Sequence, residues 1–255
     1  LARVSDRIEH PAHAADYLNS QIGKELTNLF FRPYTKKMWA LDLEELDAGV
    51  VKRLPLRFDV EDRYFPDDRF QLMPRHGYTA VFQRILDHPN IEVELGHAFS
   101  RGVERDYDAA FLSVPIDEYC SECFGPLPYR SIRFEHVTKA KQPGMSWTVT
   151  NYTDSSRWTR ETAWHLLPHH DNGLTSGPHT REEPCDYRDN DFERYYPVRT
   201  SDGRFQKIYE QYAKLAEETP QITFIGRCGL YQYLDMHQVI NQSLLGVRRW
   251  LAKYG

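Results

Sequence analysis

Tyr34 and Trp39 stand five residues apart, and Lys52-Arg53 closes the amphipathic run that follows, just before Pro55. The whole stretch reads YTKKMWALDLEELDAGVVKRLPLR. Aromatic rings that stack on a flat base, and guanidinium forks that meet phosphate oxygens, are together what a nucleoside diphosphate needs from its binder. The plain alternative is that Trp39 is core and Arg53 a solvated helix end. A second informative element, TFIGRCGLYQYLDMHQVI, runs from a β-type segment through a turn with Gly226 and Gly229 into a helix. That order presents backbone N–H groups to a phosphate or to a cofactor ring. The spacing is not GxGxxG, and such glycines also serve plain turn chemistry. His165, His169 and His170 in HLLPHH have no acidic partner at metal-ligand spacing. Cys120 and Cys123 form one isolated CxxC that Cys185 and Cys228 do not extend. No metal is expected, and the cysteines read as reduced thiols.

The composition restricts the class. A chain of 255 residues suffices for one large domain or two small ones. A formal charge of -5 argues against a general nucleic-acid binder, so local arginines must do any phosphate work. No apolar run approaches the roughly 20 residues of a membrane span, and LARVSDRIEH lacks the pattern of a signal peptide. A cytoplasmic protein without membrane contact is expected. Sixteen tyrosines fit a site that stacks rings and uses phenol hydroxyls.

The elements that must position these groups follow from periodicity. Leu18, Ile22, Leu26 and Leu29 predict a helix over 14–31, ending before Pro33. Leu43, Leu46 and Val50 predict a second over 42–53, and a third spans 78–86. Short β-type runs follow at 91–95, 109–114, 131–135, 146–151 and 162–167, which predict a largely antiparallel sheet. Residues 168–192, rich in Pro, Gly, Asp and Asn, read as a long loop, with the charge run Arg181, Glu182, Glu183 solvated within it. A helix over 205–216, a strand over 222–225 and a last helix over 236–251 complete the α+β chain. Three parts are expected: a helical substrate-binding subdomain 1–55, a sheet subdomain 56–220, and a C-terminal strand and helix 221–255.

Several blocks then occur in a recognisable order: YTKKMW with VKRLPLRF, DRYFPDDRFQLMPRHGYT, SVPIDEYCSECFGPLPYRSIRFE, NYTD with WTR, YYPV, and IGRCGLYQYLDMHQVI. From about Ala14 onward the chain resembles UDP-galactopyranose mutases. The resemblance implies an FAD enzyme interconverting the pyranose and furanose forms of a UDP-sugar such as UDP-galactose. In that family the reduced flavin attacks the anomeric carbon, UDP leaves, and the ring opens and recloses. It also implies the C-terminal strand and helix of a Rossmann-like FAD domain, galactofuranose supply for cell wall polysaccharide, and a homodimer.

Carried over by motif, Arg53 and Arg160 flank the diphosphate as the catalytic charges. Phe30, Phe31, Tyr34 and Trp39 line the base pocket, Tyr64, Tyr196 and Tyr233 offer phenol hydroxyls to phosphate, and Asn151 lies near the sugar or the diphosphate. Arg130, Gly226, Arg227, Tyr233, Asp235 and Met236 stand by the flavin. The chain also departs from the family. No GxGxxG turn and no His-containing loop precede these blocks, so an excised piece is expected, lacking the N-terminal FAD-binding segment and holding FAD poorly alone. Ala163 and His165 replace a Glu and a Lys, His76-Gly77 replaces paired glycines, and Val114 replaces a glycine. The sugar is therefore left open. The alternative to a mutase is a non-catalytic nucleotide-sugar binding module of the same fold. A flavoenzyme of another class, such as an amine oxidase, fits less well because it has no diphosphate for two arginines to hold.

Overall fold

The computed structural model describes residues 8–53, 56–61, 63, 65–167, 170, 173 and 175–255. The N-terminal part is helical. α1 (Ala14–Leu26) starts at His13, whose ring accepts from the Asp16 amide, and its first N–H groups meet the carbonyls of Leu46 and Leu43. The turn that carries Leu43 and Leu46 thus caps a helix and fills a core at once. At Gly23 the backbone leaves helical space with φ of 79°, a conformation open to glycine alone at little cost. A π-helical turn, Thr27–Phe31, follows and passes into α2 (Arg32–Trp39), with Pro33 in its first turn. The helix expected over 14–31 is therefore broken in two ways, and the wider π turn changes the direction of Phe30 and Phe31. The helix expected over 42–53 shrinks to α3 (Ala48–Lys52), because the Asp47 carboxylate accepts from the Gly49 amide and caps it late.

The centre is a five-stranded antiparallel sheet of order β3-β4-β5-β2-β6, comprising β2 (Tyr129–Ala140), β3 (Val149–Asn151), β4 (Arg160–Ala163), β5 (Ser176–Asp186) and β6 (Tyr196–Pro197). The loop expected over 168–192 is the main correction. Its centre is β5, the middle strand, paired along eleven residues with β2. Gly177, Pro178 and Pro184 made it read as turns, but partners on both sides supply the pairing that local propensity does not. The expected strand 91–95 is not formed, and these residues are exposed. A separate parallel pair joins β1 (Ala110–Leu112) to β7 (Ile222–Phe224).

The remaining helices are α4 (Gly77–Leu86), α5 (Ile116–Tyr119), α6 (Arg204–Ala216), α7 (Gly226–Gly229) and α8 (Met236–Tyr254). One core joins α1, α2 and α3 to the sheet through Leu18, Trp39, Leu43, Leu46 and Ile132. Each such fully buried aliphatic side chain contributes about 1.5–3 kcal/mol. A second core packs Tyr129, Tyr187, Tyr212 and Tyr231 with Ile116 and Leu127. Much of the tyrosine content thus builds core as well as any site. α8 has no buried residue, and Met236, Ile240, Leu244, Val247 and Leu251 lie exposed along it.

Candidate functional site

The two halves of the first core diverge at one end and leave a cleft of about 470 Å3. Its walls come from the π turn and α2 (Phe30, Phe31, Tyr34, Trp39), the end of α3 (Arg53), the sheet (Asn151, Arg160, Glu182, Tyr196) and the segment before α8 (Tyr233). These positions lie up to two hundred residues apart in sequence, and every pocket residue carried over by motif within the described residues is among them. Tyr64 and His169 lie outside the described residues.

The rings interlock. Trp39 stands edge-on to Tyr196 and to Tyr233 at 6.0 Å between centroids, and Tyr196 meets Tyr233 at 4.7 Å. Trp39 is both things the sequence allowed, core and pocket wall, being only 6% exposed. Arg53 caps α3, lies 3.9 Å over the Tyr233 ring, and donates to the Tyr233 hydroxyl at 2.7 Å and to Asp235 at 3.1 Å. Arg160 is held from the side by its Nε–H, which donates to Asn151 Oδ1 at 3.2 Å. Its Nη1 is 3.9 Å from Glu182, beyond hydrogen-bond range, so its fork remains available to an anion.

Burial sets the protonation of this site. It pushes the Tyr34 phenol up, against the pull of Arg160, and pushes Tyr233 far above the ordinary phenol range. Both stay neutral donors. Burial also raises the Glu182 carboxyl, with Arg160 pulling the other way. For Arg160 itself burial works against the charge, but Tyr34 and Glu182 outweigh it and the guanidinium is held more firmly charged. The result is two fixed cations and neutral phenols in a half-apolar cleft, an arrangement suited to a diphosphate with a flat base attached.

Glu182 is the charged pocket residue that sequence reasoning missed, since it was read as part of a solvated charge run. Alternation separates it from its neighbour: Glu182 faces the cleft, whereas Arg181 turns to the other face and donates to Glu161 at 3.0 Å. There burial would raise the Glu161 carboxyl, but hydrogen bonds from Lys139, Arg181 and His179 hold it at about 2. A period of two in HTREEPCD was the available signal, masked by the prolines and glycines around it.

The residues assigned to a flavin divide differently. Arg227 donates to the carbonyls of Leu234 at 2.6 Å and Tyr195 at 3.2 Å, which fixes the turn bearing Tyr233. Asp235 caps α8 in a reciprocal arrangement with Gln238, and Met236 after it is exposed. Gly226 adopts φ of 72°, and a side chain at Gly229 would meet the Leu112 carbonyl at 3.0 Å, so both serve the packing of α7 on β1 and β7. Arg130 lies outside the cleft lining and donates to the Met38 carbonyl at 2.9 Å. Among the described residues no group of three or more His, Cys, Asp or Glu is placed to hold a metal, and no helix is long and apolar enough to cross a membrane.

Fold and cleft together define a protein with an aromatic-walled cleft carrying two arginines, set between a helical unit and an antiparallel sheet. The sequence profile described as "GLF: UDP-galactopyranose mutase" matches residues 29–233, and the chain belongs to this family. It is 37% identical to a probable UDP-galactopyranose mutase of Klebsiella pneumoniae, covering 91% of this chain and 59% of the relative. It is 36% identical to a dTDP-fucopyranose mutase of Escherichia coli, covering 88% and 60%, and 32% identical to a UDP-galactopyranose mutase of Mycoplasma pneumoniae, covering 84% and 56%. The chain thus spans less than two thirds of these relatives' lengths. A crystal structure of reduced UDP-galactopyranose mutase superposes over 98% of this chain and 70% of that one with a TM-score of 0.72, a likeness of fold at 15% identity.

Proposed function

We propose that this chain forms the substrate-binding part of a nucleotide-sugar mutase that interconverts the pyranose and furanose forms of a UDP-sugar of the UDP-galactose type. The observation that carries the reading is the convergence of Arg53, Arg160, Tyr196 and Tyr233 on one cleft walled by Phe30, Phe31, Tyr34 and Trp39. Arg160, with its fork clear of Glu182, and Arg53, which can exchange part of its contact with Asp235, offset the charge of the bound diphosphate and of UDP as it departs. Tyr196 and Tyr233 donate phenol hydrogens to phosphate oxygens, and the rings close the base off from water. Asn151 fixes Arg160 and lies beside the sugar end.

Reduced FAD, when bound, supplies the covalent chemistry at the anomeric carbon. The residues present fit a ring system at the edge beyond Tyr233. Met236 is exposed there, next to the partner of Arg53, and Arg227 has five N–H groups of which the two backbone carbonyls engage one each. Arg130 supports this edge from behind α2. No GxGxxG turn occurs in the 255 residues, and the reading places the FAD diphosphate grip on polypeptide beyond them. The dTDP-fucopyranose mutase among the relatives keeps a deoxy sugar and a thymine base as the nearest variants of the substrate.

The test has two parts. Calorimetric titration with UDP and UDP-galactose should give saturable binding that is lost in Arg53→Ala and Arg160→Ala, and unchanged affinity in both variants would overturn the site assignment. Incubation with UDP-galactofuranose and dithionite-reduced FAD, joined to the rest of the polypeptide, should yield UDP-galactopyranose by chromatography. Binding without conversion under those conditions would leave the non-catalytic module as the correct reading.

A further inference from the structure

A second concave site lies on the sheet face that carries Arg160 and Glu182, and the mutase reading does not use it. Strand register sets Arg160 opposite Glu182 and, two residues along, Thr162 opposite Thr180; on the other side Thr180 faces His136, and Pro178 faces Thr138. Side chains alternate between faces with a period of two, so His136, Thr138, Pro178 and Thr180 share the face of the cleft. Trp164, just beyond β4, joins them, and with Val137 and His179 from the intervening positions they line a cavity of about 280 Å3.

Its groups are fixed in advance. The Trp164 Nε1–H donates to Thr180 Oγ1 at 2.7 Å, and His136 Nδ1 lies 2.9 Å from the same oxygen. Thr180 is only 5% exposed, so the hydrogen bonds it makes here are its main ones. The hydroxyl, having one hydrogen and two lone pairs, accepts from the indole and holds His136 Nδ1 in either tautomer, which fixes the ring. Trp164 stays 38% exposed, which leaves part of the indole to a ligand. Among the described residues no Asp, Glu, Lys or Arg lines the cavity, in contrast to the neighbouring cleft. The size falls just short of the about 300–1,000 Å3 of sites for drug-sized molecules.

A flat apolar plate beside hydroxyl-bonding groups, in an uncharged hollow of this size, matches a ring with one C–H face and several hydroxyls. We propose that the cavity binds one neutral saccharide ring, with Trp164 as the stacking plate and His136 Nε2 and the Thr138 hydroxyl as partners for its hydroxyls. The ring comes either as a free monosaccharide or as the end unit of an oligosaccharide, which present the same chemistry.

Indole Nε1–H resonances of 15N-tryptophan-labelled protein give the test, with Trp164 assigned through Trp164→Phe. Methyl β-galactopyranoside, methyl α-glucopyranoside and a galactose disaccharide are titrated to about 50 mM, where a millimolar complex saturates. The expected result is a saturable shift of Trp164 with Trp39 unmoved, whereas UDP moves Trp39 and leaves Trp164 in place. His136→Ala should weaken the Trp164 response about tenfold or more, its fold being checked by the dispersion of the remaining indole signals. A tighter response to the disaccharide assigns the site to oligosaccharide ends, and an equal one to free sugars. No saturable shift with any of the three, or a shift of Trp39 alone, would overturn the proposal.

Discussion

Tyr196 and Tyr233 in the cleft pack much as Tyr129 and Tyr231 do in the second core: edge-on, at 4.7 Å and 71° against 5.4 Å and 88°. The difference lies at the hydroxyl. In the core, Tyr231 donates to the Val198 carbonyl at 2.6 Å and Tyr212 to the Gly125 carbonyl at 2.7 Å, so each phenol fastens one stretch of backbone to another. In the cleft, Tyr233 accepts from Arg53 and Tyr34 lies beside Arg160. Burial raises the phenol well above its ordinary range in Tyr231 and Tyr233 alike, so ionisation does not separate the two regions. The same ring is a fastener beside a carbonyl and, on the proposed reading, a ligand-facing tip beside a guanidinium.

Exchanging residues between these roles breaks or sharpens the comparison. Arg160→Ala should have the largest effect, weakening UDP binding by about 2–5 kcal/mol, or about 30-fold and upward, because it removes a phosphate fork and leaves Glu182 facing the diphosphate alone. Calorimetry measures it, and a thermal melt within about 2 °C of wild type would place the loss in the site. Tyr231→Phe should do the opposite. Its buried hydroxyl leaves the Val198 carbonyl unpartnered, costing about 1–3 kcal/mol in a denaturant melt while UDP affinity stays put. Tyr233→Phe should cost about 0.5–1.5 kcal/mol of UDP affinity with little change in stability. If Tyr231→Phe and Tyr233→Phe gave the same pattern, the distinction between fastener and tip would fail.

The smallest expected effect is one of pH. Because burial raises the folded-state pKa of Glu182, the folded protein takes up this proton, as pH falls, before the unfolded chain does. Protonation removes a negative charge beside Arg160, so UDP-galactose, whose diphosphate does not titrate in this range, should bind more tightly as pH falls through that value. Glu182→Gln should flatten the profile at its tight limit. An unchanged slope in the variant would mean that Glu182 does not sense the diphosphate.

The cleft was more legible in the sequence than the sheet that carries it. Arg53, Arg160, Trp39 and the tyrosines sit in ordered motifs whose residue types state their chemistry, and the cleft gathers them. β5 was not legible, because Gly177, Pro178 and Pro184 are poor strand formers whose pairing with β2 only tertiary structure supplies. Losing β5 also lost Glu182 and the hollow beside Trp164, since both depend on knowing which face each residue takes. The π turn was illegible for a related reason: nothing in TNLFF differs locally from an α-helix, and the kink at Gly23 arises from how α1 must meet its neighbours.

The eleven-residue ladder between β2 and β5 makes the cleft a matter of counting. Arg160 and Glu182 are register partners, so a one-residue shift of β5 in the direction that sets Arg181 opposite Arg160 would bring Arg181 to the cleft and carry Glu182 to the opposite face. The site would then present three cations in place of two cations and a carboxylate, with no residue having mutated. A deletion of one residue between Glu182 and Asp186 that moves the strand this way should therefore act on ligand preference as a charge reversal does.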